Sequence, residues 1–333
     1  MQALIKTPNV KELIIQDVAL PEPAPGEALI KVGYCGVCGS DLHAYHHAPG
    51  YEFVEMPRIL GHELVGTVVS ALGQDSGNWL NKKVVAESIQ HCGTCAQCQE
   101  QRTNICEHTQ VMGLHFDGGM AEYVKCKLKY LKEIPANLPD AIAVLTEPMT
   151  IAVHAVETVG QVKNGDAVLV QGPGIIGFFV ALVCKALGAK VRLSGLKRDY
   201  KARLSLAQDF GIETFTVDEG ENLREQVDIL FECSGSSRAV NPGLQSLKKG
   251  GKAVFVALYE SSTDLFLTQA VRNEWALLTS YGSKPEDYTR AFEILDMFSS
   301  QLESLVSLYE LNNAKNAFED AMEQKVLKPV LVL

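Results

Sequence analysis

The chain has no apolar run long enough to cross a bilayer: the longest, Ile175 to Cys184, is interrupted by Gly177 and falls far short of the ~20 residues a span needs. It also lacks a basic block interleaved with aromatics. With 40 Asp plus Glu against 30 Lys plus Arg, the formal net charge is -10, and no nucleic-acid partner is expected. No low-complexity tract and no internal repeat breaks the 333 residues. The opening stretch, MQALIKTPNVKELIIQD, alternates apolar and polar residues like a strand and has no small-residue cleavage site after a long apolar run. A cytoplasmic protein with no membrane partner is the expectation. In that setting nine cysteines read as reduced thiols and metal ligands rather than disulfides.

A chain of this length exceeds the size at which a single hydrophobic core stops growing, so two domains are expected. Up to about residue 145, short strands punctuated by Gly and Pro (Ala28 to Tyr34, Leu64 to Ala71, Lys83 to Ser88, Ala121 to Lys125) predict an irregular, mostly β domain. After Pro148 the texture changes. Strand-like Ala167 to Gln171, helical Ile175 to Leu187, strand-like Lys190 to Leu193, helical Lys201 to Phe210 and strand-like Val227 to Cys233 alternate, which predicts an α/β unit with a parallel sheet covered by helices. Ala253 to Leu258 and Trp275 to Ser280 extend that sheet. Helical stretches at Pro285 to Phe298 and Ala314 to Gln324 follow, and the ending KPVLVL is suited to return to the first domain.

Two motifs stand out by spacing. HCGTCAQCQEQRTNIC, residues 91–106, places Cys92, Cys95, Cys98 and Cys106 close enough along the chain to surround one tetrahedral zinc. Four protein ligands leave that ion no open position, so any chemistry belongs elsewhere. VLVQGPGIIG puts Gly172, Gly174 and Gly177 after a predicted strand and at the opening of a predicted helix, with Ile175 and Ile176 supplying helix-terminal amides. A dinucleotide is the expected ligand. The carboxylate that should close the next strand and hold the adenosine ribose is missing. Ser194 and Gly195 stand there, with Lys197, Arg198 and Arg203 close by, a pattern suited to the 2′-phosphate of NADP. Asp199 would favour NAD if a shift in the turn brought it to the ribose.

The remaining candidates for an open metal site are Cys35, Cys38, His43, His46 and His47 in YCGVCGSDLHAYHH, His62 and Glu63 in RILGHELVG, and Glu147 in TEPMTIAVHA. Cys, His and carboxylate together suit zinc, but spacing does not select among them, and His62 could equally be a satisfied polar residue beside a turn.

In their order and separation, GxCGSDxHxY, GHExxG, the four-cysteine lobe, EPxxxAVHA and the nucleotide fingerprint resemble the zinc-dependent medium-chain alcohol dehydrogenases, in particular the sorbitol and threonine dehydrogenase branch. The resemblance covers essentially the whole chain. It implies a catalytic zinc held by Cys38, His62 and Glu63, with Glu147 as the remaining acidic ligand or directly behind it, and a structural zinc in the lobe at residues 91–107. It also implies that Ser40 hands the alcohol proton away and His43 relays it to solvent, while His46 and His47 fill surface or packing roles. Glu63 and Glu147 would temper the acidity of the ion by their charge.

The fold implied is a GroES-like, mostly β catalytic domain formed by residues 1–148 and 283–333, with an inserted Rossmann domain, a doubly wound parallel sheet, at residues 149–282. Cofactors would be two zinc ions per chain and NADP or NAD, and partners a small alcohol or polyol and further copies of the chain in a homodimer or homotetramer. The activity implied is hydride transfer between the secondary alcohol of a polyol or sugar alcohol and NAD(P), with L-threonine 3-dehydrogenase or 2,3-butanediol dehydrogenase-like activity as alternatives. A zinc-free quinone-reductase-like enzyme is disfavoured by Cys38, His62, Glu63 and Glu147, and a non-catalytic binding protein by Ser40 and His43. The usual Gly-Asp turn of the family is replaced by Asn81, Lys82 and Lys83, and Asn can still serve a turn there.

Overall fold

The computed structural model describes residues 1–74, 76–218 and 226–333. Two compact units divide the chain: Met1–Glu147 with Lys284–Leu333, and Pro148–Ser283. No helix among the described residues is long and apolar enough to cross a membrane.

The first unit is mostly β and GroES-like. Its principal sheet runs in the order Leu131–Glu133, Lys83–Ala86, Glu63–Ala71, Glu27–Gly36, Lys328–Val332 and Val306–Glu310, and Tyr123–Lys127 also pairs with Glu27–Gly36. Within Glu27–Gly36, Ala28, Leu29, Ile30 and Val32 are buried and Lys31 is exposed, so this central strand is covered on both faces over much of its first half. Val68, Val84, Tyr130 and Phe318 belong to the same core. Asn81 adopts φ 65°, the left-handed turn conformation that asparagine tolerates.

Register in this sheet is what assembles the site. Gly36 lies opposite Glu63 on one side and opposite Val330 on the other. Cys38 is two residues beyond Gly36, His62 one before Glu63 and Lys328 two before Val330, so strand pairing alone draws three distant segments to one point. A bulge between Val32 and Tyr34 resets the pairing just upstream. The apolar ending does return to this unit, as the strand Lys328–Val332 antiparallel to Glu27–Gly36.

The second unit is a six-stranded parallel sheet in the order Glu213–Val217, Lys190–Leu196, Ala167–Gln171, Val227–Glu232, Leu247–Phe255 and Ala276–Thr279. Counted from Ala167–Gln171 this is the 3-2-1-4-5-6 order of a doubly wound nucleotide-binding sheet. AVLVQ is nearly all apolar because both faces of a central parallel strand are covered. The helix Ile175–Ala186 buries Gly177 through Cys184 without interruption, which accounts for the longest apolar run in the chain. The strand predicted to end at Leu193 continues to Leu196, because Ser194, Gly195 and Leu196 pair with Phe215, Thr216 and Val217. The partner strand Glu213–Val217, like Val306–Glu310 in the first unit, is half exposed and short, and the sequence pattern does not reveal it.

Candidate active site

Cys38 caps the helix Gly39–His46, whose first turn carries Ser40 and Asp41. The Asp41 carboxylate accepts the backbone N–H of Cys38 at 2.9 Å and that of Gly61 at 3.1 Å, tying the helix start to the turn that presents His62. Asp41 is fully buried, and burial raises its pKa despite the opposing pull of His62, 3.8 Å away. The sequence reading passed over Asp41. Its signal was available: an acid three residues after a helix cap, in position to bond the cap's backbone.

Ligand atoms of Cys38, His62 and Glu63 lie within 4.8 Å of one another. Donors around one tetrahedral zinc stand roughly 3.3–3.8 Å apart, so the thiol, imidazole and carboxylate are gathered at a spacing the ion could close, and the mixed donor set suits it. The Ser40 hydroxyl is 3.4 Å from His62 Nε2. Burial alone would depress the His62 pKa, but Cys38, Asp41 and Glu147 outweigh it and hold the ring well above its ordinary value. Such concentrated negative charge favours a cation.

The two other carboxyl-bearing partners are held differently. Glu63 pairs with Lys328, both fully buried, and Lys328 also donates to the Val37 carbonyl at 3.0 Å. The pair passes so close to Gly36 that a Cβ there would collide with the Glu63 carboxylate. Glu147, in the first turn of the helix Thr146–Val153, stands outside the trio and accepts the Ser88 hydroxyl at 2.7 Å. Burial raises its pKa, opposed by His62. His43, one turn beyond Ser40, stacks on Tyr51 with ring centroids 5.0 Å apart. His47 is 3.1 Å from the ammonium of buried Lys6 at the helix end, a packing role, and His46 packs obliquely on His43.

The four-cysteine lobe is a separate, closed set. Cys92, Cys95, Cys98 and Cys106 bring their sulfurs within 4.8 Å of one another, with separations of 3.5 Å for Cys92–Cys106, 3.8 Å for Cys95–Cys106 and 4.0 Å for Cys92–Cys98. Backbone N–H groups of Thr94, Cys95 and His108 point at the sulfurs. Those of Thr94 and Cys95, with the Thr94 hydroxyl, lower the Cys92 pKa to about 5, while burial pushes Cys98 up to about 12. A tetrahedral zinc fits these donors and leaves no position open.

In the second unit Gly172 has φ +95°, and a Cβ on it would come within 2.6 Å of the Ser234 backbone. Gly174 caps the helix Ile175–Ala186 and faces open space, so the amides of the first helical turn, including Ile175 and Ile176, can be approached. Gly195 packs under Pro173 of the same loop. Asp199 turns back on its own chain: it accepts the Leu196 N–H at 2.8 Å and lies 3.9 Å from Arg203. Lys197 is exposed and pairs with Asp218 at 3.0 Å, and Arg198 follows it in the same turn.

Comparison with known proteins is consistent across the whole chain. The alcohol dehydrogenase GroES-like domain family matches residues 24–136, and the zinc-binding dehydrogenase family matches residues 176–297. A sorbitol dehydrogenase of Halalkalibacterium halodurans is 33% identical, covering 98% of each chain. An L-threonine 3-dehydrogenase of Bacillus velezensis is 31% identical over 81% of this chain and 80% of its own. A zinc-binding dehydrogenase of Sinorhizobium meliloti 1021, solved with NADP, superposes with a TM-score of 0.89 at 27% identity, covering 100% of this chain and 99% of the other.

Proposed function

The chain belongs to the zinc-dependent medium-chain dehydrogenases, and from that membership we propose that it oxidises the secondary alcohol of a polyol or sugar alcohol reversibly to the ketone, with NADP accepting the hydride. It is an NAD(P)-dependent dehydrogenase; the substrate and the choice of cofactor are the proposal. The first unit is read as the catalytic domain with both metals and the second as the cofactor domain. The observation that carries the reading is the Cys38, His62 and Glu63 trio with the Ser40 hydroxyl 3.4 Å from His62, distinct from the closed cysteine lobe.

When bound, zinc supplies Lewis acidity at an alcohol oxygen and the nicotinamide takes up hydride. Cys38 and His62 would hold the ion with carboxylate help from Glu63 or Glu147. Ser40 accepts the alcohol proton as its hydroxyl gives up its own, and His43, on the next turn of the same helix face, carries it towards solvent. Asp41 keeps Ser40 and His62 in register through the helix cap and the Gly61 turn.

A polyol is favoured because adjacent hydroxyls can fill a polar site that a simple alcohol leaves unpaired, and because a sorbitol dehydrogenase is among the relatives. Threonine is the second reading, on the strength of the L-threonine 3-dehydrogenase relative. It needs a cation for the amino-acid carboxylate. Arg58, the nearest candidate in sequence, is engaged with Asp117 at 3.4 Å and lines a cavity with Met1, Val18 and Phe116 that none of the metal trio lines. NADP is supported by the engagement of Asp199 with Leu196 and Arg203, by Lys197 and Arg198 at the strand end, and by the relative solved with NADP. Association into a homodimer or homotetramer is supported by the edge strand Ala276–Thr279 and by exposed Phe266 and Val271 near it. Turnover of C4 to C6 polyols, 2,3-butanediol, threonine and simple alcohols, each with NAD and NADP, tests the proposal. Strong turnover confined to threonine overturns the polyol assignment, and a clear preference for NAD overturns the cofactor assignment.

A further inference from the structure

Ser88 is absent from every motif that identifies the site, yet its side chain touches one of the two carboxylates there. It follows the strand Lys83–Ala86 and is 3% exposed. Its backbone is fixed on both sides: the N–H donates to the Tyr288 phenol oxygen at 3.3 Å and the carbonyl accepts the Met112 N–H at 3.1 Å. Tyr288, itself 2% exposed, reaches the Ala86 carbonyl at 3.5 Å and so bridges both ends of the Ala86–Ser88 turn. From this fixed backbone the hydroxyl donates to Glu147 Oε1 at 2.7 Å. The neighbouring Glu87 points elsewhere, to Lys132 at 2.8 Å.

The contrast with Glu63 gives this contact its meaning. Glu63 is matched by the buried ammonium of Lys328, so much of its charge is spent within the protein. Glu147 accepts a hydrogen bond from the neutral Ser88 hydroxyl, which can orient a carboxylate without itself neutralising it, while His62 and Lys328 act on its charge from nearby. A carboxylate so held can turn its charge towards the cation site formed by Cys38 and His62.

We propose that Ser88 is a positioning residue for the catalytic metal: its hydroxyl sets the orientation in which Glu147 faces the Cys38–His62 site. The proposal rests on the zinc-dehydrogenase reading above. Its chemistry is one of aim and of affinity, with no bond made or broken at Ser88.

The test compares the full-length wild type with Ser88→Ala, Ser88→Thr and Ser88→Val, the last two being of one shape and differing by hydroxyl against methyl. Metal content, zinc affinity of the open site by chelator competition and the visible absorption of the cobalt-substituted open site are read alongside thermal unfolding. Removing a hydrogen-bond partner of a metal-binding carboxylate typically weakens metal binding about 10–100-fold. Ser88→Ala and Ser88→Val are expected to show that loss together with altered cobalt bands, while the cysteine-lobe zinc is retained and Ser88→Thr stays within a few-fold of wild type. Should Ser88→Ala fail to fold, the Thr and Val pair decides. Unchanged zinc affinity and cobalt bands in the hydroxyl-free variants, even with lowered thermal stability, overturn the role of Ser88 alone. A wild type that takes up only one metal per chain overturns the metal reading itself, and this proposal with it.

Discussion

The two thiol-bearing metal sets are built on opposite plans. The cysteine lobe takes all four donors from a single stretch, residues 92–106, and points backbone amides of the same stretch at its sulfurs. The Cys38, His62 and Glu63 set takes its donors from two strand ends and leans on residues far along the chain: Asp41 on the helix cap, Lys328 near the C-terminus, and Ser88 behind Glu147. A local set can saturate its ion and isolate it. A set assembled from distant strands can leave a coordination position for substrate, because no single loop has to wrap the ion completely. The difference teaches where each site is vulnerable: the lobe to change within its own loop, the open site to change anywhere in the sheet.

The comparison breaks most sharply at the ligands themselves. Cys38→Ala or His62→Ala should remove the open-site metal and, with it, several kcal/mol of transition-state charge stabilisation, lowering turnover by more than roughly 10³-fold. The lobe should keep its zinc, which metal analysis of the same preparation checks. Cys95→Ala should do the reverse, losing the lobe zinc and lowering Tm by about 10 °C while any folded protein retains the catalytic metal. Selective loss of the catalytic zinc with unchanged Tm would invert the assignment of the two sites.

Lys328→Met sharpens the claim that the open site depends on remote residues. It leaves the buried Glu63 carboxylate without its partner, and breaking a buried pair on one side costs about 3 kcal/mol or more. Chemical denaturation should show that loss, with Lys328→Arg recovering most of it; a neutral result would mean that the pair contributes nothing to the fold. The smallest effect is expected at Ser40. Ser40→Ala should leave both metals in place and slow alcohol oxidation by about 10²-fold, the lower end of what a positioned proton-transfer group contributes. Full activity in that variant would remove Ser40 from the relay.

Much of this architecture is legible in residue order because it depends on neighbours in the chain. The apolar run Ala167–Gln171 appears as a strand with the bounds expected, since a central parallel strand is buried on both faces and needs no alternation to be seen. Gly172 is required by a turn that its own neighbours create, and Asn81 takes the left-handed conformation expected of a turn residue. Less visible were Glu213–Val217 and Val306–Glu310, which hold their places by pairing rather than by a strong apolar pattern. Asp199 illustrates the same limit at a single residue: its position near the strand end left the ribose open to it, and only the Leu196 amide and Arg203 reveal that its carboxylate is engaged.

The nucleotide loop and the four-cysteine lobe are legible in residue order because the chemistry of each is written within one short segment whose spacing is its geometry, and the order of such segments along the chain identifies the family. What only the folded chain shows is which residues surround Cys38, His62, Glu63 and Glu147 and hold them in place. Strand register places Gly36 opposite Glu63 and Val330, which brings Lys328 to the carboxylate, and the Ala86–Ser88 turn under Tyr288 brings a hydroxyl to Glu147. The Ser88–Glu147 and Lys328–Glu63 contacts join residues 59 and 265 positions apart. No local spacing encodes them, since they exist only once hydrogen-bonded strands and a common core have removed the intervening chain's freedom.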